Sequence, residues 1–166
     1  MEPAEDLELI ARQEKELILQ RFDADDAWKL GVRLRELAFS RQYAVAIELR
    51  RFGQQLFYTA LAGATPDNAE WIRRKANTVQ RFHRSSYAIG LDLKLKDSNL
   101  TEKFGLSMSD YAAHGGSFPL NVAGAGVIGS LTVSGLPQRQ DHELVVEALC
   151  AHLGREYGEL ALPKPA

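Results

Sequence analysis

The stretch covering residues 114–149 constrains the fold more than any other part of the chain, because its hydrophobic period changes along its length. Ser117–Val122 alternates apolar side chains and predicts a short strand. The Ala-Gly-Ala-Gly run at 123–126 predicts a reversal, since glycine adopts positive φ without steric cost. Residues 127–134 predict a second strand. The strand is expected to end before Pro137, because proline has no N–H to donate to a neighbouring strand. The apolar residues that then recur at helical spacing are Leu144, Val145, Ala148 and Leu149.

The upstream half predicts two helices and a second hairpin. Residues 1–22 carry one apolar side and predict a helix within an N-terminal segment 1–24. A second helix is expected over residues 25–40, after several acidic N-cap candidates. From residue 43 the period changes to two, which predicts strands over 43–50 and 55–61 joined by a turn.

A basic helix is predicted from Pro66 or Asp67 to about residue 86. Its expected buried side consists of Ile72, Lys75, Ala76, Val79 and Phe82. Residues 87–104 fit either helix or strand, with helix favoured by the neighbouring segments, and a short helical turn is expected over residues 107–113. The tail at 160–166 contains two prolines and is expected to be frayed.

Composition limits the class of protein. A chain of 166 residues with 45% hydrophobic content fits a single domain, 1–166, with its own core. The single cysteine, Cys150, excludes an internal disulfide and is expected to be buried and unreactive. A net charge of −2 gives no basis for nucleic-acid binding. No apolar run suits a membrane span and the N-terminus is acidic, so a soluble cytoplasmic protein is expected.

Two groups of residues could bind a ligand. Arg74, Thr78, Arg81 and Ser85 fall at helical spacing, with Lys75 beside them, and guanidinium groups bind carboxylates or phosphates through paired hydrogen bonds. The alternative, a solvated face or an interface salt-bridge strip, is the favoured interpretation of this stripe. The second group is His114, Gly115 and Gly116, where an imidazole adjoins flexible backbone; an ordinary polar turn explains it equally well. Asp141 is expected to be the N-cap of the last helix.

Several familiar motifs are excluded. The GxGxxG string at 124–129 enters a strand, whereas the dinucleotide-binding fingerprint must open a helix. The four histidines match no protein-built metal motif, so no such metal site is expected. A haem iron needs only one or two side-chain ligands, so this count does not exclude haem. No nucleophile–base pair stands out, and catalytic residues are therefore not assigned.

Four segments together resemble a known family. These are GVIGSLTVSGLPQRQDHELVVEAL near the C-terminus, W-x-x-R-K at 71–75, R-F-x-x-S-S at 81–86 and HGGSFPL at 114–120. In combination they resemble the HbpS/GlcG-like superfamily of haem-degrading domain proteins, in the branch called uncharacterised protein family 0303. The resemblance implies an α+β fold, a profilin-like α/β/α sandwich with a central antiparallel sheet of four to five strands, and assembly into dimers or larger rings. Some relatives bind haem or corrinoid.

Two functional hypotheses follow. The first is an oligomeric protein that binds a small acidic ligand, with haem or another tetrapyrrole as the candidate cofactor, between the basic helix and the His114 turn. Its ligand-binding residues would be Arg74, Lys75, Arg81, Ser85, Ser86, His114, Gly115 and Gly116. In it, His114 would be an axial or acid–base group. The alternative is a non-catalytic assembly or protein-interaction module whose basic helix forms subunit contacts, which agrees with the protein-targeting role suggested for eukaryotic members of this branch.

Overall fold

Five strands form one sheet that helices cover on both faces in the computed structural model, which describes residues 3–164. The predicted α+β sandwich is confirmed. In chain order the elements are α1 Pro3–Glu16, β1 Ile18–Leu19, α2 Ala24–Ser40, β2 Ala46–Arg51, β3 Gln54–Ala60, α3 Pro66–Phe82, α4 Ser86–Leu95, α5 Leu100–Phe104, β4 Ser117–Val122, β5 Gly126–Ser134, α6 Gln138–Leu153 and α7 Tyr157–Leu160.

The two predicted hairpins form the centre of the sheet, whose strand order is β1-β4-β5-β2-β3. β5 pairs antiparallel with both β4 and β2, so the hairpins join side by side. Gly124 and Gly126 have φ of +79° and +83° at the β4–β5 turn. These positive values are the conformation that the glycines in the sequence predicted for this turn. The predicted helix α2 is confirmed as well. Asp23 caps this helix by accepting a hydrogen bond from Asp26 N at 2.9 Å.

One face of the sheet is apolar and carries the main core. Ile47, Leu49, Leu131 and Val133 point to the same side of neighbouring strands, where α2 and α6 cover them. All four side chains are fully buried. Burial of this kind contributes about 1.5–3 kcal/mol per large aliphatic side chain, so this face supplies most of the stability.

The opposite face of the sheet is polar, and α3 packs over it. Glu48, Ser130 and Thr132 alternate with the apolar residues and are nevertheless buried. Glu48 accepts hydrogen bonds from Arg50 at 2.9 Å and Gln55 at 2.7 Å. Because polar groups already line this side, the hydrophilic helix α3 can bring its own charged residues into the interior there.

The N-terminal prediction is wrong at its boundary. The helix expected over residues 1–22 ends at Glu16, and β1 follows as a parallel partner of β4. Leu17 and Leu19 are both buried, and this alternation suits a strand. In the sequence alone, the same residues also fit a continuation of the apolar side of α1. Pairing with β4 therefore decides the local structure. Residues 1 and 2 lie outside the described part of the chain.

The middle and C-terminal predictions need smaller corrections. Residues 87–104 are helical, in α4 and α5, and the segment expected to form a short helical turn contains a turn at Met108–Asp110. The tail expected to be frayed is packed at its start, because Leu160 and Leu162 are buried. The predicted burial of Cys150 is confirmed, and burial raises the pKa of its thiol to about 11. Among residues 3–164, no helix combines the length and apolarity that crossing a membrane requires.

His142 joins the N-terminal helix and the tail to α6. Its Nε2 lies 2.8 Å from Oε1 of Gln13, whose Nε2 donates to the Leu160 carbonyl at 2.7 Å. The Gln13 oxygen therefore accepts, which makes Nε2 the protonated nitrogen of a neutral imidazole. Complete burial, followed by the nearby Arg139 charge, lowers the pKa of His142 to about 3.

We expect this histidine to make the protein sensitive to acid. An unfolded histidine titrates near pH 6.5, so between about pH 6.5 and 3 the unfolded chain binds a proton that the folded chain does not. The free energy of unfolding should therefore fall as pH falls. Urea denaturation measures the free energy of unfolding at pH 7 and at pH 5. The decrease between these two pH values should be smaller by about 2 kcal/mol in His142→Gln than in the wild type. Equal losses in both proteins would contradict the assignment.

Candidate functional site

A cleft with two chambers opens between the first half of α3 and the loop that follows α5. The larger, here called the apolar chamber, has a volume of about 390 Å³; Arg74, Leu93, Lys94, Leu100, Met108 and Ala112 are among its lining residues. The smaller, here called the polar chamber, has a volume of about 270 Å³; its lining includes Asn68, Lys75, Ser134, Gln138 and Asp141. Trp71 and His114 line both chambers, which therefore meet at these two rings.

Aromatic contacts hold the junction of the chambers in place. The Trp71 and His114 ring centroids are 5.2 Å apart in an edge-to-face arrangement. The Arg74 guanidinium carbon lies 4.1 Å from the Trp71 ring centroid, and its Nη1 donates to the Met108 carbonyl at 3.1 Å. Trp71 and Arg74 are three positions apart on α3, so the helix itself brings them together.

His114 presents a free imidazole to the cleft. Its side chain is exposed, and neither ring nitrogen has a hydrogen-bond partner within residues 3–164. Partial desolvation, and then the positive charges of Lys75 and Arg74, lower the pKa of His114 below its usual value. The ring is consequently neutral at physiological pH, and a neutral imidazole can accept a hydrogen bond or coordinate a metal.

The floor of the polar chamber is a buried ion pair. Lys75 Nζ lies 3.1 Å from Asp141 Oδ2 and donates to the Val133 carbonyl, also at 3.1 Å. The carboxylate accepts the backbone N–H groups of Leu136 at 2.9 Å and Gly135 at 3.4 Å. Desolvation is the largest influence on both side chains, lowering the pKa of Lys75 and raising the pKa of Asp141.

The glycine pair after His114 is needed for close packing. A Cβ on Gly116, whose φ is +135°, would lie 2.4 Å from the Val133 carbonyl oxygen and 2.7 Å from Lys75 Nζ. A Cβ on Gly115 would lie 2.3 Å from the Gln138 carbonyl oxygen. The Gly115 N–H donates to the Gln138 side chain at 3.0 Å. These contacts fix the turn, and with it the place of His114, against β5 and the start of α6.

The structure brings some of the predicted site residues together and separates others. Arg74, Lys75 and His114 line the cleft, whereas the predicted glycine pair is buried beside Lys75 and Gln138 and does not line it. Arg81 lies in a separate depression that includes Asn77 and Asp110. Ser85 caps α4 by accepting from Ala88 N at 3.1 Å, and Ser86 bonds the backbone of Ser117. Both serines are buried in these structural contacts.

The expected continuous stripe of the basic helix is interrupted for a local reason. α3 ends at Phe82, and His83 takes up a left-handed conformation with φ of +56°, so Ser85 starts a new helix in another direction. Thr78 belongs to the expected stripe as well, but its hydroxyl donates to the Ala112 carbonyl at 2.9 Å. Helical spacing alone predicted that these residues share one surface, because spacing does not show that α3 ends at Phe82.

The expectation that Asp141 is an N-cap is also wrong. α6 begins earlier, after Pro137, and Asp141 turns its carboxylate to Lys75. Sequence reasoning further missed Asn68, Trp71, Lys94 and Gln138 as parts of the cleft. Trp71 had a usable signal, since it starts the W-x-x-R-K motif. Asn68, Lys94 and Gln138 lie on three separate helices, α3, α4 and α6, and only the fold brings these helices together.

Within the described residues 3–164, no group of three or more histidine, cysteine or carboxylate side chains is arranged to hold a metal ion. A metal that the protein binds through one side chain, with the remaining ligands supplied by a macrocycle, is a different case. The neutral His114 beside an apolar cavity has the donor chemistry to be the single protein ligand of such a metal.

Comparison with known proteins places the chain among related sequences and folds. Residues 22–150 match a family model described as haem degrading protein HbpS-like. UPF0303 proteins from Paraburkholderia phymatum and Acidobacterium capsulatum are 62% and 59% identical over 164 residues, covering 99% of each chain. The crystal structure of the Ybr137w protein has a TM-score of 0.83 at 33% identity, covering 89% of this chain and 88% of that one. The PduOC:heme complex has a TM-score of 0.68 at 21% identity, covering 78% and 94%, and shows the shared fold.

We expect the Lys75–Asp141 pair to behave as one unit in stability measurements. Asp141→Leu should lower the free energy of unfolding by about 3–5 kcal/mol, because it leaves a buried ammonium without its partner. The double variant Lys75→Met with Asp141→Leu should lose less than the sum of the single variants. Chemical denaturation of the four proteins measures this coupling, and additive losses would contradict it.

Proposed function

Because the chain belongs to the HbpS-like family, in its UPF0303 branch, we propose that it binds a small acidic ligand in the apolar chamber, with haem as the leading candidate. The observation that carries the proposal is a neutral imidazole whose ring nitrogens have no hydrogen-bond partner within residues 3–164, at the wall of an apolar cavity that Arg74 and Lys94 also line. A volume of about 390 Å³ lies within the range of small-molecule binding sites.

The lining of the apolar chamber suits the parts of a tetrapyrrole acid. Leu93, Leu100 and Met108 would contact its flat apolar body. Arg74 and Lys94 would hold its carboxylates, since each charge is at the cavity and can form charge-assisted hydrogen bonds. His114 would hold the iron, because its uncharged ring has a lone pair to donate. A bound haem would supply a redox-active iron, and the surrounding chain would exclude water from one side of it.

Structural likeness supports the proposal at the level of fold. The PduOC domain binds heme on a similar fold, but at 21% identity its site residues cannot be transferred to this chain. The residues named here therefore come from the cleft itself. Arg81, Ser85 and Ser86 are left out of the proposed site because they lie away from the apolar chamber.

Titration of the purified protein with haemin tests this site by the shift of the Soret band. The wild type should show a saturable shift at one haem per chain. His114→Ala should remove or displace the band, because the nitrogen proposed to hold the iron is lost. Arg74→Ala should weaken binding about tenfold or more, since hydrogen bonds to charged groups contribute about 1.5–3 kcal/mol.

Arg81→Ala is the matched control, because it removes the same charge from the same helix outside the cleft. Its titration should be indistinguishable from that of the wild type. A non-saturating spectrum in the wild type, or equal weakening by both arginine variants, would overturn the proposed site.

Self-association is a second candidate function, and a different surface favours it. Trp28, Val32, Arg35 and Phe39 follow one another at steps of four, three and four along α2. Trp28 and Phe39 are each 64% exposed. This stripe lies beside β3, since Trp28 packs on Phe57 and Phe39 lines a depression with Ala60.

The strand next to this stripe is an open edge of the sheet. β3 is last in the strand order, is seven residues long and carries no charged side chain or proline, which are the usual protections of an edge. The other edge, β1, has only two residues. Antiparallel pairing of β3 with β3 of a second copy would place no like charges opposite one another, so we propose this surface as the subunit contact.

Light scattering tests the contact. The wild type should have a mass at least twice the 18.5 kDa of one chain, and Trp28→Glu with Phe39→Glu should shift it toward a single chain. Leu95→Glu is the control, because Leu95 is 52% exposed but lies on α4. A wild-type mass of one chain, or an unchanged oligomer in the double variant, would contradict the proposal.

A further inference from the structure

We propose that the polar chamber is a separate binding site for a small monocarboxylic acid, recognised through the buried Lys75 and the side-chain amide of Gln138. The chamber shares only Trp71 and His114 with the apolar chamber. Its volume of about 270 Å³ is smaller than that of most ligand pockets, which favours a small occupant. The site concerns a different ligand from the one proposed for the apolar chamber.

Hydrogen-bond donors remain available at this chamber. Lys75 Nζ uses two of its three hydrogens, one for Val133 and one for Asp141, and the ammonium is almost completely buried. Gln138 uses its side-chain oxygen to accept the Gly115 N–H, which leaves its amide hydrogens without a partner in the part of the chain described. Asn68 donates one amide hydrogen to Ser134 at 3.3 Å and has another.

The principal acceptor at the chamber is already occupied. Both oxygens of Asp141 accept hydrogen bonds, from Leu136 on one side and from Lys75 and Gly135 on the other. Among the buried groups, one Lys75 hydrogen thus remains available while both Asp141 oxygens are engaged, and a ligand that supplies acceptor oxygens would pair with it. A carboxylate does so with two oxygens in one plane.

The charge balance of the chamber limits its occupant to one negative charge at most. Asp141 neutralises Lys75, and the exposed Asp67 adds one negative charge to the lining, so a monoanion depends on the hydrogen-bond donors and the helix ends, and a dianion would lack compensation. α3 and α6 both begin at the chamber, as Asn68 and Gln138 in its lining show. The partial positive charge at two helix amino ends supports one carboxylate beside the neutral pair.

The test is a titration of haem-free protein with sodium acetate and sodium pyruvate at constant ionic strength, followed by NMR of the side-chain amides. The Gln138 and Asn68 signals should shift saturably, with a dissociation constant in the millimolar range. Acetamide, an uncharged analogue of acetate, should leave them unchanged. Shifts that fail to saturate, or that acetamide reproduces, would overturn the proposal.

Variants locate the acid within the cleft. Gln138→Leu should weaken acetate binding about tenfold or more by removing the exposed amide donor. Lys75→Gln with Asp141→Asn should abolish binding while keeping the chamber free of unpaired charge. Lys94→Gln is the control, because Lys94 lines only the apolar chamber, and its affinity should equal that of the wild type. If the double variant does not fold, the Gln138→Leu and Lys94→Gln pair decides: equal effects overturn the site.

Repeating the acetate titration after adding haemin distinguishes two sources of the carboxylate. Persistent shifts of the Gln138 amide assign the chamber to a free acid. Loss of those shifts, with the same signals already displaced by haemin, assigns it to a carboxylate arm of the ligand in the apolar chamber. The first result supports the separate site for a free acid and the second overturns it, and haem-free binding remains measurable if haemin does not bind.

Discussion

The ion pair between Lys75 and Asp141 is the interaction on which the arrangement of the cleft depends. Taking two charges out of water costs several kcal/mol each, and the cost is offset only when the remaining hydrogen-bonding groups are satisfied. Here the Val133 carbonyl and the N–H groups of Gly135 and Leu136 complete the pair. These partners lie in β5 and the segment that follows it. The pair therefore fixes α3, the end of β5 and the start of α6 relative to one another.

The two faces of the sheet have separate roles because their side chains differ. The face under α2 and α6 is built from large aliphatic residues such as Leu49 and Leu131, and it carries the stability of the fold. The face under α3 is polar, so charged groups can be placed inside the protein without opening the main core. This division allows the cleft to hold an ammonium, a carboxylate and an imidazole within one small region.

The cleft combines two kinds of environment at one pair of rings. Trp71 and His114 stand between an apolar cavity and a polar one, and His114 lies near the positive charges of Lys75 and Arg74. A neutral imidazole in that position can serve a metal-bearing ligand on one side, while hydrogen-bond donors remain for an acid on the other. The exposed α2 stripe is on a different surface, so the proposed self-association and the proposed ligand binding would use separate parts of the molecule.

The sequence by itself determined what local chemistry controls: the two hairpins, the α2 helix and the positive φ of Gly124. It also indicated Lys75 as a buried residue, because apolar neighbours recur around it at helical spacing. Only the tertiary structure decided that β1 is a strand and that Asp141 pairs with Lys75. These features depend on partners distant in sequence, and periodicity within one segment carries no information about which partner a residue will meet.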